Sequence, residues 1–239
     1  MSSQPQGPFE WKVLHENTPG KGAPEQKLRL GVLISGSGSN LQAIIDAIES
    51  NALPGVEIAL VMSNVASAPG MQRALNHKLP VIYLPWRKVP VGAYLGEMNA
   101  NEVQIAGLLQ LFKVDLVVLA GFMRIFSAPF VERLGKRIIN IHPALLPREG
   151  GAGEAYTLGD GTQIPALRGL HVVRAALDSG LKTTGSTVHY VTPEVDAGPV
   201  ICQQEVSIEP GDTEEILQER LKSVEHHLIV EAIRQLSSL

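Results

Sequence analysis

The sequence predicts an α/β fold: a mostly parallel central sheet, helices on both of its faces, and an antiparallel strand or hairpin towards the C-terminus. Three observations carry that expectation. First, short apolar stretches at 28–34, 56–62, 81–84 and 114–120 alternate with stretches of helical period. That order predicts right-handed crossovers and parallel pairing. Second, residues 114–120 (VDLVVLA) are the most continuously apolar, as a central strand covered on both faces must be. Third, two later strands, at 186–191 and 199–208, are joined by a short loop containing Pro and Gly, the pattern of a hairpin.

The 239 residues suffice for one α/β domain with a sizeable core. Apolar content of 44% and charged content of 18% are ordinary for a water-soluble globular chain. The formal net charge of -4 gives no basic footprint for duplex nucleic acid, though a small anion can still be held locally. One cysteine, Cys202, can form no internal disulfide and fits a reducing, cytoplasmic location. No apolar run is long enough for a membrane helix, and the N-terminus lacks a secretory pattern. The expected partners are small molecules, with neither nucleic acid nor membrane, and the expected assembly is a monomer or homodimer.

Residues 1–27 are rich in Pro, Gly, Gln and charge and read as an extension, with Phe9 and Trp11 as its docking side chains. Residues 28–239 read as one domain. The first strand, 28–34, runs straight into Ser35-Gly36-Ser37-Gly38-Ser39-Asn40, and Leu41, Ile44, Ile45 and Ile48 then mark an amphipathic helix. Strand, glycine-rich turn and helix aim free backbone N–H groups at an anion. Ser39 or Asn40 can cap the helix or bond a phosphate oxygen. The turn lacks the Walker A ending and the full G-x-G-x-x-G pattern, and a capped turn without ligand is the competing reading.

A short helix is expected at 71–77, with His77 near its exposed end, and a long one at 91–112. The strand at 114–120 is followed by Gly121-Phe122-Met123-Arg124-Ile125-Phe126. At that sheet edge Met123 and the aromatics offer an apolar wall and Arg124 a fork for a carboxylate, although Phe122 by itself reads as core. Ser127 is placed to cap a helix through Val131 and Leu134.

Residues 137–147 hold the central pattern. Ile138 and Ile139 suit a buried strand. Asn140 and His142, two apart in an extended chain, project to the same side. Pro143 ends the pairing. An amide and an imidazole therefore leave the sheet together at the edge where ligands sit in α/β folds; a plain polar turn is the competing reading. Residues 148–168 are rich in glycine with no clear period, and Tyr156, Leu158, Ile164 and Leu167 are the larger apolar side chains. A loop of that length is commonly a functional lid or disordered. A helix pattern returns at 169–180, and the strand at 186–191 alternates enough to be half-buried.

In the loop after that strand, Glu194 and Asp196 are the carboxylates. Either can be solvated, or can partner His142. Asp212 or Thr213 caps a last helix, on which Lys222 and Glu225 share a face. His226 and His227 are adjacent, so they lie on different faces, which argues against a shared metal. No cysteine cluster, HExxH or G-x-S-x-G motif is present.

Several segments together resemble the phosphoribosylglycinamide formyltransferases, the folate-dependent enzymes of purine synthesis. They are LISGSGSNLQ (33–42), LAGFMRI (119–125), NIHPALLP (140–147), GSTVHYV (185–191), DAGPVI (196–201) and Glu225-His226. They occur in the family's order over roughly residues 28–235. The resemblance implies a Rossmann-like formyltransferase fold. It also implies formyl transfer from 10-formyltetrahydrofolate to the amine of 5'-phosphoribosylglycinamide, with no metal. Asn140, His142 and Asp196 match the catalytic trio. Gly38, Ser39 and Asn40 match the loop holding the ribose phosphate, and Lys222 and Glu225 match positions facing the glycinamide. Met123, Arg124, Ile125 and Phe126, with Asn140 and Thr192, Pro193, Glu194, Val195 and Asp196, match the folate pocket.

In such a transfer, amine attack on the formyl carbon gives a tetrahedral intermediate with a negative oxygen. Asn140 N–H groups and a protonated His142 can stabilise it, and His142 can move the protons. Beside Asp196 the imidazole pKa is expected to rise. The chain departs from the family in three places. Ser37 stands where many members have Asn. Glu97-Met98-Asn99 stands where an arginine often meets the folate tail, leaving Arg87, Lys88 or Arg124 to compensate. The segment 148–168 is much longer than its family counterpart and is expected to form a lid beside the site. The nearest alternative is a formyltetrahydrofolate deformylase, with water as acceptor.

Overall fold

In a computed structural model of the chain, the described residues are 27–87, 98–153 and 155–238. Expectations placed on 1–26, Lys88 and Glu97 lie outside them. The apolar stretches form the strands β1 (Leu28–Ile34), β2 (Val56–Ser63), β3 (Val81–Tyr83), β4 (Leu116–Leu119) and β5 (Ile138–His142). All four pairings among them are parallel, in the order β3-β2-β1-β4-β5. Connecting segments fold as α1 (Ser39–Glu49), α2 (Pro69–Asn76), α3 (Ala100–Leu111) and α4 (Ala128–Leu134). Of the helix expected at 91–112, residues 91–97 lie outside the described set. The described part starts after Asn99, which closes a capping box with Glu102.

The chain then leaves the parallel pattern. A small hairpin, β6 (Ala155–Thr157) and β7 (Gln163–Pro165), precedes α5 (Val172–Asp178). β8 (Thr183–Tyr190) and β9 (Val200–Ser207) add to the main sheet antiparallel, and α6 (Glu214–Ser237) ends the fold. Among the described residues the sheet thus has seven strands with β4 in the middle, as the apolar run at 114–120 predicted.

Period-two alternation in β1 sends Leu30, Val32 and Ile34 to one face, with α1 and α6, and Leu33 to the other, with α3 and α4. Helices therefore cover both faces. β8 is buried along almost its whole length rather than half-buried, because β5 and β9 flank it while α6 packs on it. The inserted segment is not wholly irregular. Tyr156 and Ile164 sit opposite each other on the hairpin and bury against Leu145, so a two-strand motif with one apolar face docks on the body of the protein.

One cap differs from expectation, and another is decided between its two candidates. Gly38, in a left-handed conformation, is the N-cap of α1, not Ser39 or Asn40. At α6, Thr213 accepts the Ile216 N–H while Asp212 binds Arg220.

Candidate active site

A cleft of about 750 Å³ opens outside the carboxyl ends of β1, β4 and β5. The strand order reverses between β1 and β4, and such a switch point leaves the connections on either side free to part and form a crevice.

One end of the cleft is main chain. After β1, residues Gly36–Asn40 turn into α1 and line the cleft. Ser39 and Asn40 stand in the first helical turn, where N–H groups have no acceptor within the helix. The turn is fastened from behind. Gly70 N–H donates to Gly36 O at 3.1 Å, and Arg73 Nε donates to Ser37 O at 2.9 Å. Gly38 has φ +69°, and a Cβ there would stand 2.6 Å from Gly70 Cα, so only glycine fits both the dihedral and the contact. The Asn40 amide donates to Glu225 Oε2 at 2.9 Å, while its own Oδ1 is buried without a partner among the described residues. Burial lifts the Glu225 carboxyl above its ordinary pKa against the opposing pull of Asn40 and Lys222. Lys222 lines the cleft but pairs with Glu219, one turn back, not with Glu225.

The other end is built from side chains. Leu119 of β4 pairs with Asn140, and Asn140 pairs with His189 of β8. The sheet register thus puts an amide and an imidazole side by side, with His142 two residues on along the same face. Asn140 Nδ2 lies 3.3 Å from His189 Nε2, and His189 Nδ1 donates to Tyr190 O at 2.9 Å. Asp196 joins from the β8–β9 loop. Its carboxylate is 3.5 Å from His142 Nδ1 through one oxygen and 3.5 Å from His189 Nε2 through the other. Gly169 N–H donates to it at 2.8 Å. Asp196, more than fifty residues on, therefore meets Asn140 and His142; Glu194, the other candidate partner for His142, does not line the cleft.

The charges differ from expectation at one point. Burial depresses the His142 pKa below its ordinary value and outweighs the lift from Asp196 and from the Leu167 carbonyl. The expected rise is thus corrected: the side chain is 4% exposed, and desolvation of the imidazolium exceeds what a carboxylate at 3.5 Å returns. Burial works to raise the Asp196 carboxyl, but the His189 bond, the His142 charge and the Gly169 N–H together hold it below the ordinary carboxylate value.

Between the two ends runs an apolar wall. Phe122 and Phe126 are buried and stacked, with centroids 5.6 Å apart, and Trp86 meets both edge-on. Met123 and Ile125 alternate outward and are 59% and 71% exposed. Apolar side chains left this open at a cleft mouth suit an apolar ligand. Arg124 is exposed beside them, and Thr192, Pro193 and Val195 line the facing loop. Glu194 contributes its main-chain carbonyl, which accepts the Thr192 hydroxyl.

Sequence reasoning missed several cleft residues. His189 sat inside a quoted motif, but only the cross-strand register reveals that it faces Asn140. Trp86 follows a short strand and carried no pattern. His171, with φ +60°, is the N-cap of α5 at the cleft; Gly169-Leu170-His171 resembles a family segment, and that match was a signal. Cys202 contributes no thiolate: burial pushes its pKa up to about 12.

The family profile described as formyl transferase matches residues 28–233. The phosphoribosylglycinamide formyltransferase of Escherichia coli is 37% identical over 199 residues, which cover 83% of this chain and 82% of that protein. The trifunctional purine biosynthetic protein adenosine-3 of Drosophila pseudoobscura is 40% identical over 216 residues, but this chain spans only 14% of its length. The crystal structure of glycinamide ribonucleotide transformylase 1 from Symbiobacterium toebii superposes with a TM-score of 0.73 at 38% identity, covering 89% of this chain and 88% of that one. A profile that spans the sheet, the glycine turn and all three residues of the amide–imidazole–carboxylate cluster leaves one assignment: the chain belongs to the formyl transferase family.

Proposed function

We propose that this chain transfers a formyl group from 10-formyltetrahydrofolate to the amine of 5'-phosphoribosylglycinamide, giving the formylated product on the route to purine nucleotides. One observation carries the reading. A single cleft joins a glycine turn, where the first N–H groups of α1 have no acceptor within the helix, to an amide–imidazole–carboxylate cluster, with an apolar wall between them. The first suits a phosphate, the second acyl transfer, the third an aromatic co-substrate.

The N–H groups at Gly38, Ser39 and Asn40 hold the phosphate. Lys222 and Glu225 flank the glycinamide, and the orphaned Asn40 Oδ1 is a ready acceptor for its donors. Met123, Ile125 and Phe126 with Thr192, Pro193 and Val195 enclose the folate rings, and Arg124 meets a carboxylate of its tail. The resting His142 is neutral, so it acts first as a base. As the amine nitrogen bonds to the formyl carbon, His142 takes the amine proton. Its imidazolium is then held by Asp196. The Asn140 amide donates to the oxygen that gains charge, a contribution of about 3 kcal/mol for one such donor. The bond from the formyl carbon to the folate nitrogen breaks, and His142 returns the proton to that nitrogen. No metal and no covalent enzyme adduct enters this scheme.

The test is consumption of 10-formyltetrahydrofolate with and without phosphoribosylglycinamide. Turnover that requires the acceptor supports the proposal. Equal consumption in its absence would make water the acceptor and the chain a deformylase.

A further inference from the structure

The segment that interrupts the family pattern reaches His142, which lines the reaction end of the cleft. Its guanidinium, Arg168, donates to three carbonyls: Asp196 O, Gly151 O at 2.9 Å and Gly153 O at 2.8 Å. The start of the segment presses on the same loop, with Gly151 N–H donating to Ala197 O at 2.6 Å. The loop is thus gripped from both ends of the insertion. Asp196 sits at φ +50°, a conformation that a non-glycine residue keeps only when its surroundings hold it. The residue before Arg168 touches the chemistry: Leu167 O lies 2.8 Å from His142 Nε2. A carbonyl only accepts, so the ring proton of neutral His142 sits on Nε2, and Nδ1 is left as the base beside Asp196.

We propose that Arg168 is a positioning residue for the transfer. It locks the inserted segment onto the Asp196 loop, and so keeps the Leu167 carbonyl on His142 and selects its tautomer. In this reading the segment expected to form a lid beside the site also acts as a brace on it. The groups facing the imidazole are Asp196, His189, Arg168 and the Leu167 carbonyl. Only the last fixes the proton on Nε2, and its place depends on the Arg168 fork. A lysine keeps the charge but cannot span three carbonyls. The kinetic part of the proposal rests on the formyl-transfer reading; the tautomer part does not.

The experiment is 15N NMR of the His142 ring in the full chain, with kcat and both KM values, for wild type, Arg168→Ala and Arg168→Lys. The expected result is a single Nε2–H tautomer in wild type and mixed tautomers in both variants. In both variants kcat falls on the order of tenfold or more, while each KM stays within about twofold. If Arg168→Ala does not fold, Arg168→Lys decides. A folded variant that keeps the wild-type tautomer and kcat and loses only thermal stability overturns the proposal. A wild-type chain without formyl transfer overturns the proposed function instead, and the ring spectra still decide the brace.

Discussion

The two ends of the cleft are made of different material. Under α1, the turn at Gly36–Asn40 offers backbone N–H groups, and its shape is set by a glycine pressed against another glycine. At the far end, β5 and β8 offer side chains aligned by antiparallel register. Backbone donors are fixed by the fold and suit tight binding of a group that does not react. Side chains on strands can change protonation, which suits the reacting centre. The two carboxylates repeat the contrast. Glu225, answered mainly by the Asn40 amide, is lifted by burial, while Asp196, answered by two imidazoles and an N–H, is held down.

If that division is right, changes at the side-chain end strike kcat and changes at the backbone end strike KM. The largest effect is expected for His142→Ala. Transfer should fall by about 10²–10⁴, while equilibrium titration still detects folate binding; unchanged turnover would remove His142 from the mechanism. Asn140→Ala comes next, losing about 10²–10³ in kcat through the missing oxyanion donor. A variant that raised only KM would blur the contrast between the ends.

Gly38→Ala tests the other end. Its methyl group must displace Gly70, and its φ is unfavourable for alanine. Steady-state kinetics should give a raised KM for the phosphorylated acceptor with kcat largely kept. Thermal unfolding should reveal a loss of about 1–3 kcal/mol.

The smallest expected effect is the position of the acid limb. In the proposed mechanism the neutral His142 is the base, and burial holds its pKa below the ordinary 6.5. A kcat/KM profile should therefore hold as pH falls through 6.5 and drop only below it; a limb at or above that value would contradict a buried neutral imidazole. Stability carries the same sign. Below 6.5 the unfolded chain binds the His142 proton before the folded one does, so unfolding free energy should decline on acidification. Asp196 stabilises above its ordinary 3.8, and that contribution is lost as pH falls through its lowered folded value.

The parallel core and the glycine turn were legible because each depends on neighbours in sequence. Apolar runs such as 114–120 announce a central strand, and glycines between a strand and a helix announce a tight turn at the sheet edge, where the cleft opens. The meeting of Asn140 and His142 was legible for the same reason, since period two puts them on one side. What escaped depends on distant pairing. His189 faces Asn140 only through the β5–β8 register, and β8 is buried only because α6 returns to cover it. The His142 pKa was misjudged because burial is a property of the packed fold, and the neighbouring aspartate was the one influence visible from motifs. The hairpin in the insertion was hidden because three-residue strands leave almost no period to read.

The most direct test of the account follows 13C-formyl-labelled 10-formyltetrahydrofolate by NMR with phosphoribosylglycinamide present. The account predicts that the label reaches the glycinamide nitrogen as a formamide carbon in wild type and stays on the folate in His142→Ala. Label released as free formate under saturating acceptor, or equal transfer by both proteins, would contradict it.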